Sequence, residues 1–163
     1  MGVPEVEGRR VALDHPHQHV VAADDPRAEA LGVAARGVLR GIHYQVTRPQ
    51  GKLVRVTAGS AFDVAVDLRR ASPSFGQWVG VELSAANRRM LWVPPGFGHA
   101  FLTLEDGTDF LYKCTDFYAP EDEGCIRWDD PDLGIEWPLG GAEPTLSARD
   151  RAGVALSHAE TYP

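Results

Sequence analysis

Short runs of apolar and β-branched residues, separated by turns, fill most of the chain from residue 52 to residue 118. The runs are KLVRVTAG, AFDVAVDLR, WVGVELS, RMLWVPPG, HAFLTLEDG and DFLYKCTDFY. In the second run, Phe62, Val64, Val66 and Leu68 alternate with Asp63, Ala65 and Asp67, so the two sets are predicted to face opposite sides of one strand. Regularly spaced short strands with turn signals between them predict a β-sandwich or barrel.

Only two segments carry helix signals. Residues 25–36 form one, with Asp25 as its cap and Pro26 at its first position. Residues 146–156 form the other, with Ser147 as its cap. Helices are therefore predicted to be few and short.

Between these regions, residues 129–144 read DDPDLGIEWPLGGAEP, which is too rich in Pro, Gly and Asp for regular structure. A long loop is predicted there, and long loops in compact domains are often functional. The chain shows no internal repeat and no low-complexity tract. Its 163 residues, 44% of them hydrophobic, predict one folded domain over 1–163.

Charge and cysteine content narrow the class of protein. The chain has 16 Lys and Arg against 23 Asp and Glu, a net charge of −7, which argues against nucleic-acid binding. A local cluster of arginines could still bind a phosphate group. Cys114 and Cys125 match no zinc or redox spacing, and reduced thiols are favoured over a disulfide. No apolar run has the length of a signal peptide or membrane span, so a cytoplasmic protein without a membrane partner is expected.

The histidines are the first candidates for chemistry. His43 lies in the strand-like VLRGIHYQ and His99 follows a Pro-Gly turn, and from position alone a hydrogen-bonded core histidine is the simpler interpretation of each. A solvated loop is favoured over a metal site for His15, His17 and His19, and His158 is predicted to lie on the surface. Small metal-binding barrels usually place two histidines two residues apart on a strand, and GIHYQ has only one. A metal-free site is therefore favoured.

Cations and phenols add to this set. If the strands around VTRPQG pair as a hairpin, Lys52 lies near His43, although a surface pair would explain the spacing equally well. Tyr112 and Tyr118 are six residues apart, which predicts one face of a strand, with core packing as the alternative. Together these residues offer a base, a cation, a phenol and phosphate-binding arginines. That combination suits proton abstraction next to a carbonyl.

Several longer segments resemble one known family. They are GVLRGIHYQ, PQGKLVRV, FDVAVDLRRASPSFGQWVGVELSAANRRMLWVPPGFGHAF, FLYKCTDFYAP and IRWDDPDLGIEWP. In this order they are similar to the dTDP-4-dehydrorhamnose 3,5-epimerases, from about Arg36 to about Asp150. The resemblance implies an all-β, cupin-like jelly-roll sandwich with a few short helices. It also implies a homodimer that uses no metal or organic cofactor.

The resemblance further implies a substrate and catalytic roles. The substrate would be a dTDP-4-keto-6-deoxyhexose, whose C4 ketone acidifies the hydrogens at C3 and C5. By resemblance His43 is the general base, and Asp150 orients it and stabilises its charged form. Lys52 matches the residue that stabilises the enolate oxygen. Tyr112 matches the acid that returns a proton to the opposite face.

Binding roles follow from the same resemblance. Arg40 matches a diphosphate ligand, and because strict alternation separates it from His43, Gly41 is expected to allow a bulge that brings both to the pocket. His99 matches a residue near the sugar. The remaining matches are Tyr118, which would stack on thymine unless neighbouring Phe117 does so, and Glu123 and Arg149, which would contact the nucleotide.

The N-terminal part departs from the family pattern. Residues 1–35 lack an Asp-x-Arg-Gly-Phe-Phe-like motif and an Asn-containing strand, and Arg27 is the nearest counterpart. A shortened arm ahead of a family-like core, 36–150, is the expectation. Three functions remain open: a 3,5-epimerase, an epimerase acting at C3 or C5 only in an antibiotic deoxysugar pathway, and a non-catalytic nucleotide-sugar binder.

Overall fold

Nine β-strands in two sheets form the framework of the part of the chain that the structure describes. The structure is a computed structural model and describes residues 30–163. The strands are β1 (Ala30–Ala34), β2 (Leu39–Gln45), β3 (Lys52–Ala58), β4 (Ser60–Asp67), β5 (Trp78–Ser84), β6 (Met90–Val93), β7 (Phe97–Thr103), β8 (Thr108–Cys114) and β9 (Glu123–Cys125). The predictions for His15, His17, His19 and Arg27 lie outside the described residues.

The two sheets are antiparallel and face each other. One has four strands in the order β1-β8-β3-β6, and the other has five in the order β5-β4-β7-β2-β9. Except for β4 and β5, strands that follow each other along the chain, such as β2 and β3, lie in opposite sheets. This crossing between sheets is typical of a jelly roll, so the predicted all-β fold is confirmed.

Strand β4 is buried on both of its faces. Val64 and Val66 pack with Ile42 and Ile126 on the outer face of the five-stranded sheet. Ala65 packs with Phe110 and other residues of the four-stranded sheet in the space between the sheets. The predicted alternation is confirmed, because each set of side chains meets its own apolar cluster.

The C-terminal part of the chain covers the outer face of the five-stranded sheet. Leu133, Leu156 and Tyr162 are buried in the cluster there, and Trp137 packs against it. Residues 129–144 contain no helix or strand, which confirms that part of the prediction. The indole of Trp78 donates a hydrogen bond to the Leu133 carbonyl, 3.0 Å away, which fastens the irregular segment to β5.

The helix predicted for residues 146–156 is much shorter than expected. The α-helix α1 spans Ala148–Arg151, and Ser147 is its cap as predicted. Ser147 and Asp150 form a reciprocal capping box. The helix ends there because Val154 pairs with Ile126, which draws the chain back to the sheet. Two short 3₁₀ helices, Pro120–Asp122 and Leu156–His158, complete the helical content of the described residues.

The helix predicted for residues 25–36 is wrong where it can be compared. Residues 30–34 form β1, which pairs with β8 through Ala30–Leu111 and Leu31–Phe110. Helix propensity is a weak preference, and backbone pairing along the edge of a sheet overrides it here. Among the described residues, no helix is long and apolar enough to span a membrane.

Candidate active site

A cavity of about 450 Å³ opens between the two sheets and collects nearly all of the predicted site residues. It is lined by Arg40, His43, Lys52, His99, Tyr112, Tyr118, Glu123 and Arg149 from the predicted set, and by Tyr44, Gln45, Gln50, Phe101, Cys114, Asp116 and Phe117. Asp150 lies behind His43, fully buried. Residues from distant parts of the sequence therefore meet at one site.

Strand β2 brings Arg40 and His43 to the same cavity through an irregularity at Gly41. The pairing of β2 with β7 shifts register between Arg40 and His43. Gly41 has φ of +113°, and a Cβ there would lie 2.5 Å from Ala100 Cβ and from the His99 carbonyl oxygen. Only glycine fits this conformation and this close approach. The predicted bulge is confirmed.

His43 and Asp150 form the central pair of the site. His43 Nε2 lies 2.9 Å from Asp150 Oδ1, although its N–H is not directed along a hydrogen bond to that oxygen. Such contacts are often poorly aligned in ligand-free sites and tighten with substrate. His43 Nδ1 is the other ring nitrogen, 3.8 Å from Glu123 Oε1. The imidazole is thus supported on one side and can meet a substrate on the other.

Asp150 is held in place from several directions. Its Oδ1 accepts a hydrogen bond of 3.0 Å from the Gly41 amide, and its Oδ2 accepts two from Ser147, of 3.1 Å from the amide and 2.5 Å from the hydroxyl. Burial raises the pKa of this carboxyl, but the His43 contact and these hydrogen bonds outweigh burial and hold the pKa well below its usual range. Asp150 is therefore a fixed negative charge behind His43.

Lys52 and Tyr112 reach the cavity from the opposite sheet. Lys52 begins β3, and its ammonium lies 5.8 Å from the centre of the Tyr112 ring on β8. The predicted hairpin between the strands of His43 and Lys52 is wrong, because β2 and β3 belong to different sheets. Both residues still line the cavity, since each faces the space between the sheets.

An aromatic and charged cluster surrounds the mouth of the cavity. Tyr118 lies beyond the end of β8, so strand parity with Tyr112 does not apply, yet both line the cavity. Its hydroxyl donates to Glu123, 3.0 Å away, and Arg149 donates to that hydroxyl and to Glu123. Phe117 and Tyr118 are about half exposed. Flat rings beside a guanidinium group can bind a base and a phosphate.

The sequence pattern predicts the strand face of Asp63 but not its contact with His99 in the site. Asp63 is fully buried, and its Oδ1 lies 2.7 Å from His99 Nε2. The alternating pattern of β4 was a signal that a carboxylate points between the sheets. Its partner, 36 residues away, could not be identified from that pattern. Gln45, Gln50 and Asp116 were also missed, and no sequence signal distinguishes them.

Cys125 lies close to the central pair and is kept protonated. Both cysteines of the chain are free, in agreement with the predicted reduced thiols. Burial raises the pKa of the Cys125 thiol to about 12, with further contributions from Asp150 and Glu123. His43, Cys125 and Asp150 place ligand atoms within 4.8 Å of one another, a donor set that zinc can accept. Both Asp150 oxygens already accept hydrogen bonds, from the Gly41 amide and from Ser147.

Replacing Gly41 by alanine is expected to destabilise the fold and the site together. The new Cβ would overlap Ala100 and the His99 carbonyl, and the positive φ would strain the backbone, at a combined cost of at least about 2 kcal/mol. Gly107→Ala is a matched control, because Gly107 also has a positive φ but has no atom within 4 Å of the new Cβ. Urea unfolding of both variants measures the difference, and equal losses would show that the close approach is unimportant.

Comparisons with known proteins agree with this site and fold. The sequence profile of the family described as dTDP-4-dehydrorhamnose 3,5-epimerase matches residues 16–158, starting ahead of the expected boundary at Arg36. The dTDP-4-dehydrorhamnose 3,5-epimerase of Pseudomonas aeruginosa is 60% identical over 130 residues, which cover 80% of this chain and 71% of that protein.

Two solved structures show the same similarity. The dTDP-6-deoxy-D-glucose-3,5-epimerase of Legionella pneumophila, in complex with dTDP-4-keto-L-rhamnose, superposes with a TM-score of 0.80 at 48% identity, over 87% of this chain and 72% of that one. ChmJ, a 3′-monoepimerase of Streptomyces bikiniensis in complex with dTDP-quinovose, has a TM-score of 0.75 at 40% identity. The match covers 80% of this chain and 65% of ChmJ. Identity at this level along most of the chain, on a matching fold, makes this protein a member of the dTDP-4-dehydrorhamnose 3,5-epimerase family.

Proposed function

We propose that this protein epimerises a dTDP-4-keto-6-deoxyhexose at C3 and C5, by taking a proton next to the C4 ketone and returning one to the opposite face. The observation that carries the proposal is the placement of His43, on one sheet and against buried Asp150 of α1, opposite Lys52 and Tyr112 on the facing sheet. A sugar between the sheets would meet a base on one side and a proton donor on the other.

The first step is proton abstraction by His43. Asp150 lies against Nε2, which leaves Nδ1 as the nitrogen that can accept the proton from C3 or C5. Neutral imidazole has a reference pKa of about 6.5 and is a competent base near neutral pH. The negative charge of Asp150, kept by its lowered pKa, then stabilises the imidazolium that forms.

The enolate needs a positive or hydrogen-bonding group at the C4 oxygen. Lys52 reaches the cavity from β3, across from His43, and can supply that charge. A preorganised donor of this kind contributes about 10²–10³ in rate in other enzymes. In the proposed mechanism all proton transfers use side chains of this chain, and no cofactor takes part.

Inversion requires that the proton return from the other face. Tyr112 is on β8, in the four-stranded sheet, whereas His43 is on β2, in the five-stranded sheet. A phenol opposite the imidazole suits this role, because a base alone would return the proton to the face from which it came. Tyr112 is therefore the proposed acid.

The mouth of the cavity is the proposed nucleotide site. Arg40 and Arg149 would bind the diphosphate, and Tyr118 would stack on the thymine ring, as Phe117 could from the next position. Glu123 already accepts a hydrogen bond from Tyr118 and is placed to bind nucleotide hydroxyls. His99, deeper in the cavity, would contact the sugar.

A second candidate function is epimerisation at a single carbon. Its support is the similarity to ChmJ, described as a 3′-monoepimerase, which shares the fold at 40% identity. Both functions use the same base and enolate stabiliser, so they differ in how the intermediate is held between two proton transfers. A non-catalytic binder would have no chemical need for a buried carboxylate behind a cavity histidine.

Proton NMR of dTDP-4-keto-6-deoxyglucose with the protein in deuterated water tests the proposal. Loss of the signals at both C3 and C5 is expected for the double epimerase. Loss at one carbon would replace it with the single-site function. If neither signal decays while the nucleotide sugar still binds, the binding function would stand instead.

The proposal includes a homodimer in the cytoplasm. The homodimer is proposed because the resemblance to the epimerase family implies one. Light scattering after size-exclusion chromatography is expected to give twice the mass of one chain, and a monomer at micromolar concentration would contradict it.

A further inference from the structure

A second histidine–carboxylate pair faces the same cavity. Asp63 on β4 is fully buried, and the His99 side chain on β7 is only 6% exposed. His99 Nε2 lies 2.7 Å from Asp63 Oδ1. That contact leaves Nδ1 as the His99 nitrogen available to the cavity.

Stability alone does not account for this pair. Asp63 Oδ2 is buried and has no hydrogen-bond partner among the described residues. Leaving a buried polar atom unsatisfied is destabilising, and more so when the group is charged. The buried Asp67 on the same strand is different, because it accepts hydrogen bonds from Arg69, Ser72 and Ser74. Buried groups that lack a partner call for an explanation beyond packing.

The position of His99 relative to His43 supplies that explanation. The two residues are direct partners in the pairing of β2 with β7. Side chains at such positions start about 4.5–5.5 Å apart and point to the same face. A base at His43 that reaches a carbon hydrogen therefore has His99 beside it, within reach of the oxygen on the neighbouring carbonyl carbon.

Two positive imidazoles side by side would repel each other unless each had its own counter-charge. His43 has Asp150 behind it, and His99 has Asp63. The two carboxylates approach from different directions, one from the C-terminal helix α1 and one from β4. Each ring therefore has its own carboxylate beside it when His43 takes a proton from the substrate.

We propose that Asp63 is a positioning residue that holds His99 as a charged hydrogen-bond donor to the C4 oxygen, so that His99 and Lys52 share the enolate charge from opposite sheets. This assignment rests on the proposed epimerase function. As the C–H bond breaks, its electron pair moves to the C4 oxygen and the proton goes to His43. The Nδ1–H of His99 shortens its hydrogen bond to that oxygen without being transferred, and nothing is oxidised or reduced.

Asp63→Asn separates charge from shape. The amide has nearly the same size and keeps an oxygen that can accept from His99 Nε2, but it removes the negative charge. We expect the kcat of deuterium exchange to fall about 10- to 100-fold, in the range found for loss of one donor to a developing oxyanion. KM and the affinity for dTDP are expected to change less than threefold.

Asp130→Asn is the matched control. Asp130 is also a buried aspartate, but it accepts from the Leu156 amide on the outer side of the five-stranded sheet, away from the cavity. This variant should lose some stability and keep its kcat. If Asp130→Asn lowered kcat as much as Asp63→Asn, the effect would be one of general stability, and the assignment would be overturned.

The remaining outcomes also decide the matter. An unchanged kcat in Asp63→Asn would overturn the role of its charge, and a proportional loss of kcat and dTDP affinity would show a purely structural role. If Asp63→Asn does not fold, His99→Gln takes its place, because it keeps a neutral polar side chain. We expect this variant to show the same loss of kcat at unchanged KM. A normal kcat in His99→Gln would overturn the assignment. A wild-type protein that exchanged neither hydrogen would overturn the proposed function and this inference together, whereas normal wild-type exchange isolates a failure of the inference alone.

Discussion

His43→Ala is expected to abolish exchange of the substrate hydrogens with solvent, with a loss on the order of 10³-fold or more in rate. The variant removes the nitrogen that accepts the proton and leaves Asp150 without its partner in the cavity wall. His43 lines the cavity, has the Asp150 carboxylate 2.9 Å away and follows the register shift of β2. Deuterium incorporation at C3 and C5, followed by NMR, measures the loss.

The control for this experiment is His158→Ala. His158 is exposed in the 3₁₀ helix Leu156–His158, on the C-terminal segment that covers the outer sheet face. Its replacement should leave exchange at the wild-type rate. Persistent exchange at either carbon in His43→Ala, with the fold intact by circular dichroism, would show that another group is the base.

Tyr112→Phe is expected to separate exchange from inversion. His43 can still take a proton and return a deuteron to the same face, so solvent deuterium continues to enter the substrate. The phenol that would protonate the opposite face is gone, so epimerised product should fall about 10²-fold or more. Mass spectrometry of recovered substrate and a coupled reductase assay of the product measure the two quantities separately.

Tyr162→Phe is the control for loss of a phenol. The Tyr162 hydroxyl donates to the Gln45 carbonyl, 2.5 Å away, from the outer side of the sheet. Its loss should lower stability by about 1 kcal/mol and leave the ratio of product to exchange unchanged. If Tyr112→Phe keeps that ratio as well, Tyr112 is not the acid.

The strands of the sandwich were largely predictable because alternation is a local property. In β4, each parity of side chains meets a separate apolar cluster, so the sequence pattern and the burial pattern coincide. Strand β1 was not predictable in this way. Residues 30–34 carry no strong alternation, and their structure depends on pairing with β8, far along the chain.

Most of the predicted site residues line the cavity, but the geometry that brings them there was less predictable. The resemblance pointed to His43, Lys52 and Asp150; His43 and Lys52 line the cavity, and Asp150 lies behind His43. The expected hairpin does not form, because β2 and β3 lie in opposite sheets. Which strand faces which is decided by long-range packing, and local spacing carries no information about it.

Asp63 illustrates the same limit for side-chain pairs. Alternation along β4 shows that its carboxylate shares a face with Ala65, between the sheets. The identity of its partner depends on the pairing of β4 with β7, which sets Ala65 opposite His99. A buried charge in an alternating strand is a signal worth following, but only the three-dimensional pairing gives it chemical meaning.

The support for His43 comes from very late in the chain. Asp150 accepts from the Gly41 amide, 109 residues earlier, and Tyr162 donates to the Gln45 carbonyl, 117 residues earlier. During synthesis on the ribosome, both sheets can emerge before Asp150, the carboxylate that pairs with His43. Nascent chains, and chains cut short before the capping box at Ser147, would therefore carry a histidine without its counter-charge. We therefore expect epimerase activity only in chains whose translation has passed this point.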